Sequence, residues 1–598
     1  MPTAIEFPIA LPNKGVVLNK PEEFLSEQFS PHSRNMQFYN EFLQSRYGLS
    51  KMSLTALSGS VQAIANFKDL SGTDYLVIST PKDIYSYDFG NARFDILTPL
   101  YTTGTIEVQA GTPTKLRGTG TTWSTNLKVG DFVKIGSGSV HTGSTWYEVL
   151  TVDSDTLLTM TSSMPTTAAL TAYVARITFT GTDNDYWDWV QFSDDIKGEV
   201  LLMTNGQQGG FVYWNGTGQF AAVTGLSTGM TACKYLSVFG GRVHAVSTTE
   251  AGVDQRQRDR WCEPVNCLSW LDDDFIDFAD EPDGVHGVTK FNGYLVIFKE
   301  REAYVGRFVG GTDIFQFEIS AQAYGCRAPW SIVTRNDYIY YYGHDKKFHR
   351  FNLLQDDIIS ESVFPETKEF DPNQDEFIQG YNNARLNEIR WFCPYGSTSK
   401  FNYTFVWNYQ QNIPQVWEYA KTDACASFGS FIRSSDVYAD DSIYGAQYAD
   451  ETSGYADDSS FLDNAEIIIY GGYDGYIRIA DSGTTDDGDI YTRTLRFKRL
   501  NFGLIANLKR LWKQIVWLES QILGSVTVKM RLNDKTSYEP ETKSISLIPD
   551  DIDKTIVKTS MTWDKEAQNF QPEITSTDHF SILALISFYM PKKRSWKA

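Results

Sequence analysis

The residues of this chain that could do chemistry fall into a few short constellations. Gly225–Gly229 reads Gly-Leu-Ser-Thr-Gly, the spacing that places a nucleophilic serine, here Ser227, on a sharp strand-to-helix turn of a parallel α/β sheet. The flanking residues are polar turn-formers with no crossover helix after them, so the spacing reads as an ordinary turn. His344 and His349 are separated by four residues across a hairpin turn, but no third ligand accompanies them and they read as strand-end histidines. The acidic turns DSGTTDDGD (Asp481–Asp489) and GYDGY (Gly472–Tyr476) carry carboxylates of the kind calcium takes. They lack the EF-hand spacing with its closing glutamate, so turn formation is the better account. Cys262 and Cys267 lie outside the zinc-ribbon spacing. Asp88–Gly90 reads Asp-Phe-Gly, and Tyr-Ala-Asp-Asp occurs at Tyr438 and Tyr455. The first has no His-Arg-Asp partner and ends a strand; the second lacks the further carboxylates that a two-metal centre requires and sits in a Ser-rich acidic loop. This reading assigns no catalytic, cofactor-binding or metal-binding residue, expects no cofactor, and expects that the chain is not an enzyme.

The elements that position these groups are β-strands. The chain has 598 residues, enough for several domains, and is 41% hydrophobic and 14% aromatic, with 33 Tyr, 37 Phe and 15 Trp. Aromatic and β-branched side chains suit the pleated, half-buried face of a sheet. From about residue 53 a unit recurs at uneven intervals: a short apolar strand, a second strand, then an aromatic-rich third. Residues 75–89, 199–216, 293–308, 338–352 and 466–481 each join two runs of β-formers across a polar, charged or glycine-containing turn, the hairpin signature. Residues 234–249 and 387–410 fit the same scheme. Alternation in IYSYDF, FVYWN and FHRFN puts the rings on one sheet face, the face a propeller blade turns to its neighbour. The expected fold is all-β: an irregular β-propeller of six or seven blades over 51–102 and 177–504.

Three segments stand apart from that series, and a fourth follows it. Residues 103–176 are a run of short strands that read as an inserted small β-barrel of SH3-like size, carried on a blade loop. Residues 1–50, with two Pro-anchored extended pieces, read as an N-terminal arm of irregular structure. Residues 431–464 read as an acidic loop within the propeller, with near-copies of Tyr-Ala-Asp at Tyr438, Tyr448 and Tyr455. Residues 505–598 read as a C-terminal β domain ending in the basic tail PKKRSWKA. Within it RLWKQIVWLESQ is taken as strand, because the alternation continues into SVTVKMRL.

A formal net charge of −21 argues against a protein whose main task is gripping phosphates. It suits a wall that nucleic acid slides past. Cys233, Cys262, Cys267, Cys326, Cys393 and Cys425 are few and scattered, as expected of buried free thiols in a chain made in a reducing cytoplasm. Met1–Lys20 has no signal-peptide pattern, and no apolar run reaches transmembrane length.

One ordered set of segments resembles a known family. GGRVHAV, RWCEPVNCLSWLDDDFIDF, DGVHGVTKFNGYLVIFKEREAYVG and YGCRAPWSIVTRNDYIYYYGHDKKFHRFN follow one another from about Val243 to Asn352. In that order they resemble the central region of bacteriophage tail nozzle proteins of the tail tubular protein B and packaged-DNA-stabilisation type. SPHSRNMQFYNEFLQSRYGL is similar to their N-terminal segment, and VGDFVKI with VDSDTLLTM to small β-barrels of phage virion proteins. The Tyr-Ala-Asp copies and the C-terminal domain depart from the pattern. The resemblance implies a propeller virion protein of the tail, made in the bacterial host cytoplasm. It would form a homohexameric ring that extends and closes the DNA channel below the portal and adaptor and takes part in DNA retention and ejection. Its implied partners are portal and adaptor proteins, tail fibre or spike proteins, and viral DNA passing without sequence-specific binding. The alternative is a receptor- or carbohydrate-binding propeller of the tail tip.

Overall fold

A computed structural model describes the chain except residues 1–3, 39–42, 168, 312, 321–322, 433–465, 505–506, 534, 551–553 and 593–598. The acidic loop expected at 431–464 therefore lies outside the described residues from 433 onward, and the basic tail from 593 onward. Among the described residues the chain is nearly all β, in small antiparallel sheets. The two α-helical turns, Trp123–Asn126 and Phe364–Thr367, have four residues each. No described helix is long and apolar enough to cross a membrane.

The chain divides into two compact units that do not follow the expected borders. One comprises Lys51–Ala321 and Ala424–Arg478; the other comprises Met1–Ser50, Gln322–Asp423 and Ile479–Ala598.

The first unit holds four consecutive four-stranded meanders. They start at the strands Ala63–Lys68, Asp188–Asp194, Met230–Phe239 and Val285–Phe291. The strands Ser427–Ile432 and Glu466–Gly471 begin a further sheet of the same kind. Each expected hairpin in this unit is present, and each sheet has a fourth strand that sequence reading left unassigned. Turn chemistry explains the pairing. Phe291 and Tyr294 are joined by Asn292 and Gly293 at φ 46° and 83°, the left-handed pair that a tight hairpin requires. The first strands of consecutive sheets are neighbours: Ser427–Ile432 beside Ala63–Lys68, then Asp188–Asp194, Met230–Phe239 and Val285–Phe291. At the first of these contacts a Cβ on Gly429 would stand 2.6 Å from Ile64 Cβ, so only glycine allows that approach. Apolar rings fill the space between sheets, as where Phe67, Trp187 and Trp214 pack together. Burying a side chain of this size contributes about 1.5–3 kcal/mol.

Residues 100–176 form one seven-stranded antiparallel sheet with a core of its own around Trp123, Leu116 and Tyr173. Its terminal strands, Leu100–Tyr101 and Thr105–Val108, are not laddered to each other. A single bridge, Ile106 to Thr171, curls the sheet. The expected barrel is thus an open sheet with its own core.

In the second unit, two more four-stranded meanders start at Val333–Arg335 and Gln379–Asn383, strands that again adjoin. Beside them are two larger sheets. One has six strands, including Lys509–Glu519, Ile556–Ala567 and Ser581–Pro591; the other has five, centred on Phe570–Ser576. Residues 1–50 are not the irregular arm that the prolines suggested. Ile5–Ile9 pairs antiparallel with Ser581–Pro591, His32–Arg34 pairs with Arg493–Arg496, and the hairpin Met36–Phe38/Leu43–Ser45 extends the six-stranded sheet. These strands have three to five residues, and Ile5–Ile9, His32–Arg34 and Leu43–Ser45 pair with strands more than 450 positions away, which local sequence does not encode. RLWKQIVWLESQ is strand, with inward Leu511, Gln514, Val516 and Leu518 alternating with outward residues.

Candidate functional site

The histidine pair of the sequence resolves into one buried centre. His349, in Phe348–Phe351, has no exposed surface and is clamped between two carboxylates. Nε2 lies 2.8 Å from Asp345 Oδ1 and Nδ1 lies 2.8 Å from Asp356 Oδ1. Asp356 also accepts hydrogen bonds from the Tyr341 hydroxyl and from Tyr324 N, and the Tyr341 ring stacks on the imidazole at 5.2 Å. Burial alone pushes the imidazolium down, but the hydrogen bonds and charges of Asp345 and Asp356 outweigh it and raise His349 to about 9. Both ring nitrogens are then donors, so the ring has no lone pair for a metal. His344 is exposed on the turn. Among the described residues no group of His, Cys, Asp or Glu could hold a metal ion.

The acidic turns are consumed by cations of the protein itself. Asp481 Oδ2 lies 3.0 Å from Arg390, which also pairs with Glu388 at 2.9 Å, all three being buried. Burial raises Glu388 despite the pull of Arg390. The guanidinium lies over Trp417 at 4.3 Å. Asp486 takes a bidentate bond from Arg46, at 2.9 and 2.8 Å, whose guanidinium also lies 3.8 Å over the Tyr491 ring. Lys421 stands 3.8 Å from both Asp487 and Asp489. In the other unit Asp474 pairs with buried Arg478 at 2.5 Å. A carboxylate saturated this way offers a calcium ion little.

The remaining motifs are structural too. Ser227 lies between the strands Ala221–Ala222 and Met230–Phe239, so its turn joins strand to strand. A Cβ on Gly225 would meet Leu268 O at 2.0 Å, so the first glycine of the motif serves close backbone approach. Asp88 caps its turn by accepting from Gly90 N and Asn91 N. Cys262 and Cys267 are buried free thiols. Val243 N donates to Cys262 Sγ, and Cys267 N donates to Asp194 Oδ2 at 2.8 Å. Burial pushes the Cys262 thiol up to about 12.

Several polar groups that carry the architecture were missed by sequence reading. Asp188, in the first strand of one sheet, accepts Leu236 N from the first strand of the next at 2.7 Å, and burial raises its carboxyl to about 6. Thr204 donates to Cys233 O, Trp187 Nε1 to Thr80 O, and Ser427 to Val61 O. In the other unit Trp391 Nε1 donates to Ser331 O. Each is a buried polar stitch between adjacent segments. His244 and Asp259 form a fully buried pair, Nδ1 to Oδ2 at 2.9 Å. The other nitrogen, Nε2, has no hydrogen-bond partner, and the ring packs against Phe239, Trp261 and Phe315. Ser237 is opposite His244 in the ladder but makes no hydrogen bond to it. No motif spacing announces any of these groups. The one available signal is a charged residue inside an apolar strand, as with Glu388 and Arg390 in EIRWFC.

No protein-family model and no curated protein matches the chain. Among solved structures it is similar to the computationally designed Ika8 protein, with TM-score 0.32 and 9% identity over 72% of this chain and 99% of that one. It is also similar to Hsv2 of Kluyvelomyces marxianus, with TM-score 0.23 and 10% identity over 38% of this chain and 64% of that one. A third is an endosialidase of phage phi92, with TM-score 0.19 and 12% identity over 62% and 66%.

Proposed function

We propose that this chain is a structural protein whose small sheets are blades of an irregular β-propeller of six or seven blades, working as a ring component of a bacteriophage tail. The observation that carries the reading is the stitching between consecutive sheets: Asp188 to Leu236, Thr204 to Cys233 and Trp187 to Thr80. First strands that adjoin in chain order are how blades meet, and buried polar bonds across two of these junctions stiffen the series against shear. A wall built this way carries load and needs no active-site cleft. The candidate motifs of the sequence are spent on turns and buried ion pairs, in keeping with a non-catalytic role. The net charge of −21 suits a channel that nucleic acid traverses without the salt-dependent grip of a basic groove.

On this reading the chain assembles as a homohexameric nozzle in the virion tail, below portal and adaptor rings and above fibre or spike proteins. The test is electron microscopy of intact particles with the protein labelled at Ala598. Label in a ring on the tail axis is expected. Label at fibre tips, or none on the particle, overturns the proposal.

A further inference from the structure

The six-stranded sheet buries one face on the core, and the apolar side chains of its other face are half-exposed. Inward lie Leu511, Val516, Leu518, Met561, Ile582 and Leu585. The register fixes what stands outward in rows across the strands. Glu6, Phe588, Lys513 and Thr562 form one row; Pro8, Ile586, Ile515 and Ser560 the next; Ala584, Trp517 and Lys558 the third; and Glu519 with Ile556 ends the series. Trp512, the extra residue of a bulge against Ser581–Pro591, is 44% exposed beside them. None of the outward apolar residues belongs to the core cluster on the opposite side. A half-exposed sheet face this rich in Trp, Phe and Ile is what binding surfaces look like.

Its charge is the second clue. In a chain of net charge −21, this face carries two lysines with no carboxylate within ion-pair reach among the described residues. Lys513 lies over the Phe588 ring at 5.4 Å and Lys558 over Trp517 at 4.7 Å. Cations nearer its rim are already paired: Arg510 with Asp564, and Lys592 with Glu566. Glu6 and Glu519 stand at its margins, on the edge strand and at a strand end, so it is the middle of the surface, between Lys513 and Lys558, that asks for an occupant both aromatic and acidic. One segment of this chain has that composition. Residues 434–464 carry Tyr438, Tyr448 and Tyr455, each starting a Tyr-Ala-Asp copy, with Asp440, Asp441, Asp450, Glu451, Asp457 and Asp458 following them. In an extended chain Tyr and the Asp two residues on point to the same side, so one copy presents a ring and a carboxylate together.

We propose that this sheet face binds the acidic Tyr-Ala-Asp segment of a second copy of the chain. The rings lie against Trp512, Ile515, Trp517 and Ile586, and the carboxylates meet Lys513 and Lys558. Four strands at about 4.8 Å spacing and about seven residues along each give a face of roughly 450 Å². That is about half of one side of a standard interface. A single contact is therefore weak, with a dissociation constant on the order of 10 µM, and becomes stable only when repeated around an assembly. The inference stands on the face and the segment, independently of any role in a tail.

A synthetic peptide of residues 434–464 is titrated into the full-length chain and followed by tryptophan fluorescence. Self-association of the chain alone is followed by sedimentation velocity. Expected are saturable binding weakened about tenfold or more by Lys513→Glu with Lys558→Glu, the same loss when the peptide's Asp residues are replaced by Asn, and self-association that excess peptide dissolves. The Asn peptide leaves the protein untouched, so its result does not depend on how the variant folds. Absence of peptide binding, or a dissociation constant within twofold for both substitutions, overturns the proposal. So does peptide binding to a chain that stays monomeric at every concentration, or binding of the face to anionic phospholipid vesicles with none to the peptide.

Discussion

His349 gives the sharpest test of the structure because its environment reverses what burial does to a histidine. A fully buried imidazole normally sheds its proton; here Asp345 and Asp356 hold it on, and the ring is raised to about 9. The rise from the ordinary 6.5 to about 9 corresponds to about 3 kcal/mol of added stability. The folded value lies above the unfolded one. The contribution is therefore whole below pH 6.5, shrinks between 6.5 and about 9, and is gone above 9. The perturbation is His349→Gln, which keeps the size but carries no charge. The expected result is faster local opening of the Tyr338–Tyr342/Phe348–Phe351 hairpin in the variant than in the parent. Hydrogen exchange should show a ratio of about a hundredfold at pH 6 that collapses towards unity near pH 10. The parent ring should be doubly protonated at pH 7.5 in a ¹⁵N spectrum of labelled histidine. A ring that titrates at or below 6.5, or a variant whose deficit is the same at both pH values, refutes the reasoning.

Three further outcomes follow from the same geometry. Gly343→Ala brings a Cβ to 2.8 Å from His349 Nε2 and should lower both thermal stability, by about 1–3 kcal/mol, and the His349 pKa measured by NMR. Arg390→Ala leaves Glu388 and Asp481 buried together without their cation and should cost about 3–5 kcal/mol in denaturant unfolding, whereas Arg390→Met with Glu388→Gln should recover much of it. Ser227→Ala should be neutral or slightly stabilising in thermal unfolding, because the hydroxyl is buried with no hydrogen-bond partner; covalent labelling of Ser227 by a fluorophosphonate probe would contradict its structural role.

The hairpins were legible because each is local. Residues 338–352 announce themselves by alternation around a polar turn, and the structure pairs Ile339 with Phe351 and Tyr342 with Phe348. The strands of residues 1–50 were not legible. Three residues such as His32–Arg34 are too few to set a period, and their partner, Arg493–Arg496, supplies the order. The candidate site was legible in part. The spacing of His344 and His349 drew attention to the right hairpin, yet what decides the chemistry is Asp345 and Asp356, ordinary turn and strand residues by sequence. Buried ion pairs are harder still: Arg46 and Asp486 are separated by 440 positions, and neither has a neighbour that marks it as buried.

The pairing of Ile5–Ile9 with Ser581–Pro591 has a consequence in time. A ribosome adding 5–20 residues per second needs roughly half a minute to two minutes to travel from the first of these strands to the second. Throughout that interval the early strand has been synthesised and its partner has not. The four meanders between residues 63 and 319 have all their strands in sequence long before then and can close as they emerge. The six-stranded sheet must wait for the last strand, so Ile5–Ile9 spends most of translation as an unpaired strand that a chaperone or a neighbouring nascent chain can reach.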